Sequence, residues 1–320
     1  MSRSGDIAVG LNAVIMAVTE GEPRVLTLDG VEPTEDLPSL PYGPLDAEMD
    51  RTLELGLRNW VRQQTDLELG YVEQLYTFGD RDRDPVHPDD GPRQISVAYL
   101  ALVREIEAVG GEGSQWRDVY GFFPWEDWRE GRPAAVEPLQ KLLREWESAS
   151  GSEEERRERR ERVELAFGLG GAGWDGYQVL ERYELLFQIG LVDEAAPAGR
   201  EAERRALPLG EPMALDHRRI LATALSRVRG KIKYRPVVFE LMPPLFTLFQ
   251  LQKVVEALSG VRLHKQNFRR LVEKGGLVEG TGRIDPMTGG RPAEMFRFRR
   301  EVLRERVAPG LGVPSPRPPQ

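Results

Sequence analysis

The chain has 320 residues, of which 40% are hydrophobic and 30% charged, and a formal net charge of −8; this length allows two domains with a sizeable core. It has no cysteine, which excludes disulfides and thiolate metal sites, and its three histidines lie far apart in the sequence. No apolar run approaches the roughly 18 residues of a membrane span, and the first residues lack a signal-peptide core. We therefore expect a cytoplasmic protein that has no cofactor, no metal site and no membrane contact.

The first hundred residues predict a mixed domain. Residues 9–18 and 24–28 are apolar and rich in β-branched side chains, and the Gly-Glu-Pro turn between them indicates a buried hairpin. Apolar residues at helical spacing predict a helix over residues 45–65. A bent strand or strand pair is expected over residues 67–78, and a strong strand over residues 94–103. This order is typical of an α+β fold.

The next hundred residues, about 105–209, are predicted to be mostly helical. Residues 136–148 form a helical segment, residues 177–192 are amphipathic, and the run EEERRERRERVE predicts a solvated helix with ion pairs one turn apart; a partner-binding role is the alternative for this run. An aromatic cluster is expected to belong to the core, or alternatively to line a ligand or subunit contact: Trp116, Tyr120, Phe122, Phe123, Trp125 and Trp128. A further helix with one apolar stripe is predicted over residues 216–234.

The stretch from Phe239 to Arg300 predicts a winged helix-turn-helix. Thr247 and Gln250 have the spacing of a capping box at the start of a helix, and Gly260 can end that helix. After a three-residue turn, a second helix is predicted from about His264 to Lys274. Its polar face mixes base-reading side chains with phosphate-binding ones, and we expect it to contact DNA through His264, Lys265, Gln266, Asn267, Arg269 and Arg270. Lys265 and Arg262, which lies in the turn, are expected to contact phosphates.

A hairpin is predicted to follow this helix, with strands at Leu277-Val278 and at Met295–Phe298. Phe296 and Phe298 should face the core while Arg297 and Arg299 face outward. The glycine-rich loop between the strands would be the wing, and its two arginines, Arg283 and Arg291, are expected to contact the minor groove or the DNA backbone.

The charge distribution supports nucleic-acid binding by this module. Residues 234–300 carry 12 basic and 6 acidic residues, whereas the rest of the chain carries 32 basic and 46 acidic residues. A basic module on an acidic protein is typical of a nucleic-acid binder. A winged helix that binds protein, with solvated arginines, is the alternative.

Three groups of segments have a familiar pattern: EQLYTFGDRDRDP with RQISVAYLALV, the long block from ALDHRRILATAL to FQLQKVVEAL, and HKQNFRRLVEKGGLVE with GGRPAEMFRF. They resemble the NrtR-type regulators, Nudix-related transcription factors of NAD metabolism. The resemblance covers residues 7–104 and 212–300. It implies a Nudix-like α/β/α sandwich over residues 1–233, with a helical insertion at about 105–209 and a linking helix at 216–233. A winged helix-turn-helix over residues 234–305 and a disordered proline-rich tail over residues 306–320 would follow.

The metal-binding carboxylates of the Nudix box have no counterparts in the predicted helix. Nudix hydrolases use glutamates on one helix face to hold the divalent ions that bridge a diphosphate. At the corresponding positions this chain has Arg51, Asn59, Trp60, Gln63 and Gln64. We therefore expect no catalytic residues and no hydrolysis.

A non-catalytic nucleotide-binding scaffold joined to a DNA reader suggests a ligand-sensing regulator. By resemblance the effector would be ADP-ribose or a related nucleotide metabolite. Arg81, Arg83 and Arg93 are the candidates for its diphosphate, and Tyr99 for stacking. A homodimer is expected to bind a palindromic operator in double-stranded DNA.

Two other function classes remain open at this point. A divergent pyrophosphatase would use carboxylates outside the box, such as Glu54, Glu68 or Glu73. A protein-interaction scaffold would instead use the long acidic insertion as its binding part. Retention on DNA, turnover of ADP-ribose with Mg²⁺ and a stable co-purifying partner distinguish the three hypotheses.

Overall fold

The structure is a computed structural model that describes residues 7–30, 37–80, 93–105, 113–195, 209–285, 292–305 and 310–312. Its strands are β1 (Ile7–Thr19), β2 (Glu22–Leu28), β3 (Tyr42–Pro44), β4 (Tyr71–Phe78), β5 (Arg93–Leu102), β6 (Ser114–Asp118), β7 (Phe246–Thr247), β8 (Val278–Asp285) and β9 (Ala293–Phe298). Its α-helices are α1 (Leu53–Thr65), α2 (Val119–Phe122), α3 (Val136–Ser148), α4 (Glu153–Phe167), α5 (Val179–Gln188), α6 (His217–Tyr234), α7 (Leu248–Ser259), α8 (Lys265–Gly275) and α9 (Val302–Glu305). In the part of the chain that the structure describes, no helix is long and apolar enough to cross a membrane.

By their internal contacts the described residues divide into two units. The first takes the described parts of Met1–Ala17, Arg24–Phe123 and Tyr183–Ala224, and the second those of Val18–Pro23, Pro124–Arg182 and Leu225–Gln320. The division falls inside α6, between Ala224 and Leu225. The domain boundary predicted at residues 233 and 234 stays a prediction.

The first unit is built on a mixed sheet with the strand order β4-β5-β1-β2-β6, and β3 pairs with β1. β1 runs parallel to β5, while β4 is antiparallel to β5 and β6 is antiparallel to β2. One face of the sheet, with Leu11 and Ile15 of β1, packs in a common core with Leu57 and Val61 of α1. Because side chains alternate along a strand, the other residues of β1 face the opposite side of the sheet, where the cavity described below lies.

The predicted N-terminal hairpin is confirmed, and its turn has a specific backbone geometry. Glu20 and Gly21 have φ angles of 54° and 84°. Two successive positive φ angles define a type I′ turn, whose twist matches that of the flanking strands. The turn therefore fixes the register of a long hairpin whose first strand is almost entirely apolar.

One sequence prediction for this unit is wrong. α1 begins at Leu53 rather than near residue 45, because the Thr52 hydroxyl caps the helix by accepting a hydrogen bond from Leu55 N. The region about 105–209, predicted to be mostly helical, also contributes Ser114–Asp118 as the edge strand β6 beside β2. The helix predicted at 136–148 is confirmed with the same bounds.

The second unit contains the predicted winged helix. The strand order of its sheet is β7-β9-β8, with α7 and α8 placed between β7 and β8 in the chain. Phe239 stacks on Phe298 with ring centroids 4.3 Å apart and also contacts Phe246. Phe298 is half-buried while Arg297 is exposed, as the strand alternation predicts. The tail predicted at 306–320 lies outside the described residues except for residues 310–312.

Candidate nucleic-acid interface and ligand pocket

Helix α8 separates an apolar face from a polar one. Phe268 and Val272 are buried at 1% and 0% exposure, one helical turn apart. The six residues predicted to contact DNA are all exposed, and five of them lie on α8 while the sixth precedes it as the N-cap: His264, Lys265, Gln266, Asn267, Arg269 and Arg270. These six side chains are therefore all on the surface of the protein, and their contacts with DNA stay predictions.

The turn before α8 is held by two side chains of α7. Gln252 donates from Nε2 to Leu263 O at 2.8 Å, and Leu263 N donates to Glu256 Oε1 at 2.9 Å. Gln252 and Glu256 are 8% and 3% exposed and hydrogen-bonded to each other. The capping box predicted for Thr247 and Gln250 is present, so both ends of α7 are fixed by local hydrogen bonds.

The structure describes only one of the two arginines predicted for the wing. Arg283 is exposed on β8, whose residue Thr281 donates a hydrogen bond to Met295 O on β9 at 2.8 Å. Arg291 lies outside the described residues. Arg262, which precedes α8 and carried a predicted phosphate contact, is instead engaged within the protein, with ion pairs to Glu130 and Glu256.

The first unit contains a cavity of about 310 Å³ on the sheet face opposite α1. Its walls come from β1, β3, β5, the end of β4 and the start of α6. Most of the wall is apolar, with Val9, Phe78 and Ile220 among its members, and among the described residues no lysine or arginine lines it. An apolar cavity with a few polar groups is the usual form of a small-molecule site.

Two buried polar side chains face this cavity. Asn12 of β1 is 3% exposed, and its Oδ1 atom has no hydrogen-bond donor in the part of the chain that the structure describes. His217 of α6 is 2% exposed, and its Nδ1 atom accepts a hydrogen bond from Leu40 N at 3.0 Å. Burial lowers the pKa of His217 to about 3, so the ring is neutral at pH 7 and its proton is on Nε2.

The predicted ligand residues lie elsewhere or are not described. Tyr99 packs in the core on the α1 side of the sheet, and burial followed by the Glu54 charge raises its pKa. Arg93 is exposed and donates to Gly79 O at 2.8 Å, and neither residue lines the cavity. Arg81 and Arg83 lie outside the described residues. The ligand roles of these four residues stay predictions.

Sequence reasoning missed Asn12 and His217, although each has an unusual feature in the sequence. Asn12 is the one amide within the apolar run of β1, and His217 is one of only three histidines in the chain. A polar residue inside a buried strand must find a partner or face a ligand, because an unpaired buried acceptor costs free energy. The identity of the partner depends on α6, which is distant in the sequence.

The α1 positions that correspond to the Nudix box hold the neighbouring strand β3. Gln64 accepts from Tyr42 N at 3.2 Å and donates to Tyr42 O at 2.8 Å. Trp60 Nε1 donates to Pro44 O at 2.8 Å. Among the described residues, no group of three His, Asp or Glu side chains is placed to hold a metal ion.

The family model that matches this chain falls within the second unit. Residues 238–298 match the family model of the NrtR DNA-binding winged helix domain. The ADPR responsive transcriptional repressor NtrR of Acinetobacter baylyi is 41% identical over 86 residues. The resemblance to NrtR-type regulators is confirmed. The aligned stretch is 27% of this chain and 34% of the length of the Acinetobacter repressor, so this chain covers about a third of that relative.

The fold of the chain is shared with two solved structures. Shewanella oneidensis NrtR in complex with a 27mer DNA superimposes with a TM-score of 0.56 and 19% identity, covering 92% of this chain and 95% of that one. A MutT/nudix family protein from Enterococcus faecalis gives a TM-score of 0.54 and 16% identity, covering 93% and 89%. The predicted fold class, a Nudix-like α+β domain followed by a winged helix, is confirmed.

Proposed function

We propose that the chain is a ligand-responsive transcriptional regulator that binds double-stranded DNA through α8 and the wing. The observation that supports this most strongly is the exposed set of six polar side chains around the buried Phe268 and Val272. Arg, Asn and Gln side chains can pair with base edges in a major groove, while Lys265 has the chemistry for phosphate. The match of residues 238–298 to a DNA-binding domain agrees with this role.

The effector is proposed to be ADP-ribose or a related nucleotide metabolite, bound at the cavity of the first unit. The name of the Acinetobacter relative includes ADPR as its effector. The apolar lining and the two buried polar side chains, Asn12 and His217, suit an uncharged ring with hydrogen-bonding edges. The described residues of the lining include no cation, and we propose that the diphosphate is bound by the predicted Arg81, Arg83 and Arg93.

The first unit is proposed to bind this ligand without hydrolysing it. Gln64 and Trp60 use their polar atoms on the backbone of β3, so these two box positions hold a strand and offer no carboxylate to Mg²⁺. Incubation of the purified protein with ADP-ribose and Mg²⁺ should give no AMP. Turnover that persists through purification and follows the protein peak would favour the pyrophosphatase alternative.

Selection of genomic fragments by the purified protein at roughly physiological salt tests the DNA role. We expect a palindromic motif, because a two-fold dimer, which we propose for this chain, matches two-fold DNA. A variant with Asn267, Arg269 and Arg270 all changed to alanine is the control. Equal recovery of fragments by both proteins would contradict DNA reading by α8. A regulator of this kind would act in the cytoplasm, beside the DNA it reads.

A further inference from the structure

A buried ion cluster ties the insertion to helix α6 within the second unit. Glu126 lies between Arg182 and Arg229, with oxygen-to-nitrogen distances of 2.5 Å to each, and all three side chains are 0% exposed. Burial alone would raise the pKa of Glu126, but the two guanidinium groups outweigh it and hold that pKa below its ordinary value. The cluster is therefore ionised, and removal of one member leaves a buried charge without its counterion.

The same cluster reaches the end of α7. Arg229 donates from Nε to Leu258 O at 3.0 Å, which is one of the last carbonyls of the helix. Carbonyls in the last turn of a helix lack partners within the helix. The C-terminus of α7 is thus held by a charged side chain whose own position depends on Glu126.

A second set of contacts from the insertion holds the turn between α7 and α8. Trp128 N donates to Gly260 O at 2.7 Å. Arg262 donates from Nε to Arg129 O at 3.2 Å and forms an ion pair with Glu130. The turn is therefore held from one side by Gln252 and Glu256 of α7 and from the other side by the insertion.

We infer that residues 126–130 of the insertion are positioning residues for α8. They fix the end of α7 and the turn, and these two features set the angle between α7 and α8. Base contacts require that angle, whereas contacts with phosphates tolerate more variation. Sequence-specific binding by this chain therefore depends on its insertion, an inference that rests on the proposed DNA-binding function.

The substitution Glu130→Gln separates this role from simple electrostatics. Loss of a negative charge near DNA should strengthen binding to any duplex, whereas loss of the Arg262 contact should weaken binding to the selected operator. A surface pair of this kind is expected to change affinity about two- to fivefold. Glu154→Gln removes the same charge from an exposed position on α4 and is the matched control. Glu126→Gln should give a larger loss if the protein stays folded.

Two measurements on the full-length variants decide the inference. The first is affinity for the selected operator and for a scrambled duplex of equal length, for which we expect weaker specific binding and unchanged or stronger non-specific binding in Glu130→Gln. The second is hydrogen exchange of the amides of residues 260–264 without DNA, for which we expect faster exchange in Glu130→Gln than in Glu154→Gln. Equal exchange in these two variants overturns the inference, even if the wild type selects no operator. Unchanged or tighter operator binding by Glu130→Gln also overturns it.

Discussion

The imidazole of His217 accepts a hydrogen bond from the backbone N–H of Leu40 at 3.0 Å, although 177 residues separate them in the chain. This bond fixes the tautomer, because a nitrogen that accepts a hydrogen bond cannot carry a proton. The ring of Tyr42 meets the imidazole edge-on at a centroid distance of 5.2 Å. One side chain thus joins the start of α6 to the segment before β3 and presents an N–H group near the cavity.

The stability of the protein should fall at acid pH because of His217. An unfolded histidine binds a proton near pH 6.5, whereas burial keeps folded His217 neutral down to about pH 3. Between these values the unfolded state binds more protons, so the free energy of unfolding should fall by about 1.4 kcal/mol for each pH unit below 6.5. Denaturant titrations at several pH values measure this slope. His217→Gln should lose that part of the slope, and an unchanged slope would contradict the assignment.

Asn12 should affect ligand binding and stability in opposite directions. Its buried Oδ1 atom has no donor among the described residues, and such an acceptor costs roughly 1–3 kcal/mol. Asn12→Leu keeps the branched shape and the number of side-chain heavy atoms, and it should raise the melting temperature of the free protein while it weakens ADP-ribose binding about tenfold or more, on the same estimate. Calorimetry and thermal denaturation measure the two effects. A variant that binds ADP-ribose as tightly as the wild type would place the ligand elsewhere.

The close packing between α1 and β3 can be tested by substitution. A Cβ atom at Gly43 would overlap the indole of Trp60, so Gly43→Ala should destabilise the first unit by about 1–3 kcal/mol. Trp60→Ala removes the obstacle, and the double variant should be more stable than the sum of the two changes predicts. Gly70→Ala is the control, because a Cβ there meets no atom within 4 Å. Additive effects in chemical denaturation would argue against the contact.

The sequence predicts local features of this fold better than its non-local ones. The capping box of Thr247 and Gln250 was predictable because both partners lie within one helical turn. The start of α1 was not, because Leu45 and Met49 share the helical spacing although neither belongs to the helix. Leu45 packs against the core from a loop, and Met49 is 77% exposed. Periodicity alone cannot distinguish these cases from a longer helix.

The candidate sites show the same difference between local and non-local features. The polar residues of α8 and its N-cap lie within one short stretch of sequence, so the exposure of the six predicted residues could be inferred from spacing alone. The cavity is formed where β1 meets the start of α6, and no local pattern brings Asn12 and His217 together. The same reason explains why Tyr99 was chosen as a ligand residue, since alternation along β5 does not show which face carries the cavity. Arg262 satisfies the chemistry of a phosphate contact, yet its acidic partners come from the insertion and from α7.

Asn267 and Lys265 should affect DNA binding in different ways. Asn267→Ala should relax discrimination at one base pair by roughly 1–3 kcal/mol and leave the salt dependence unchanged, because an amide reads a base edge. Lys265→Ala should weaken binding to all duplexes and lower the slope of log affinity against log salt by about 1, because one phosphate contact is lost. Competition with operators that carry single base-pair changes, at several salt concentrations, measures both effects. Arg144→Ala, a loss of the same charge from the exposed surface of α3, should change neither. If Asn267→Ala changed the salt slope and kept full base discrimination, the orientation proposed for α8 would be wrong.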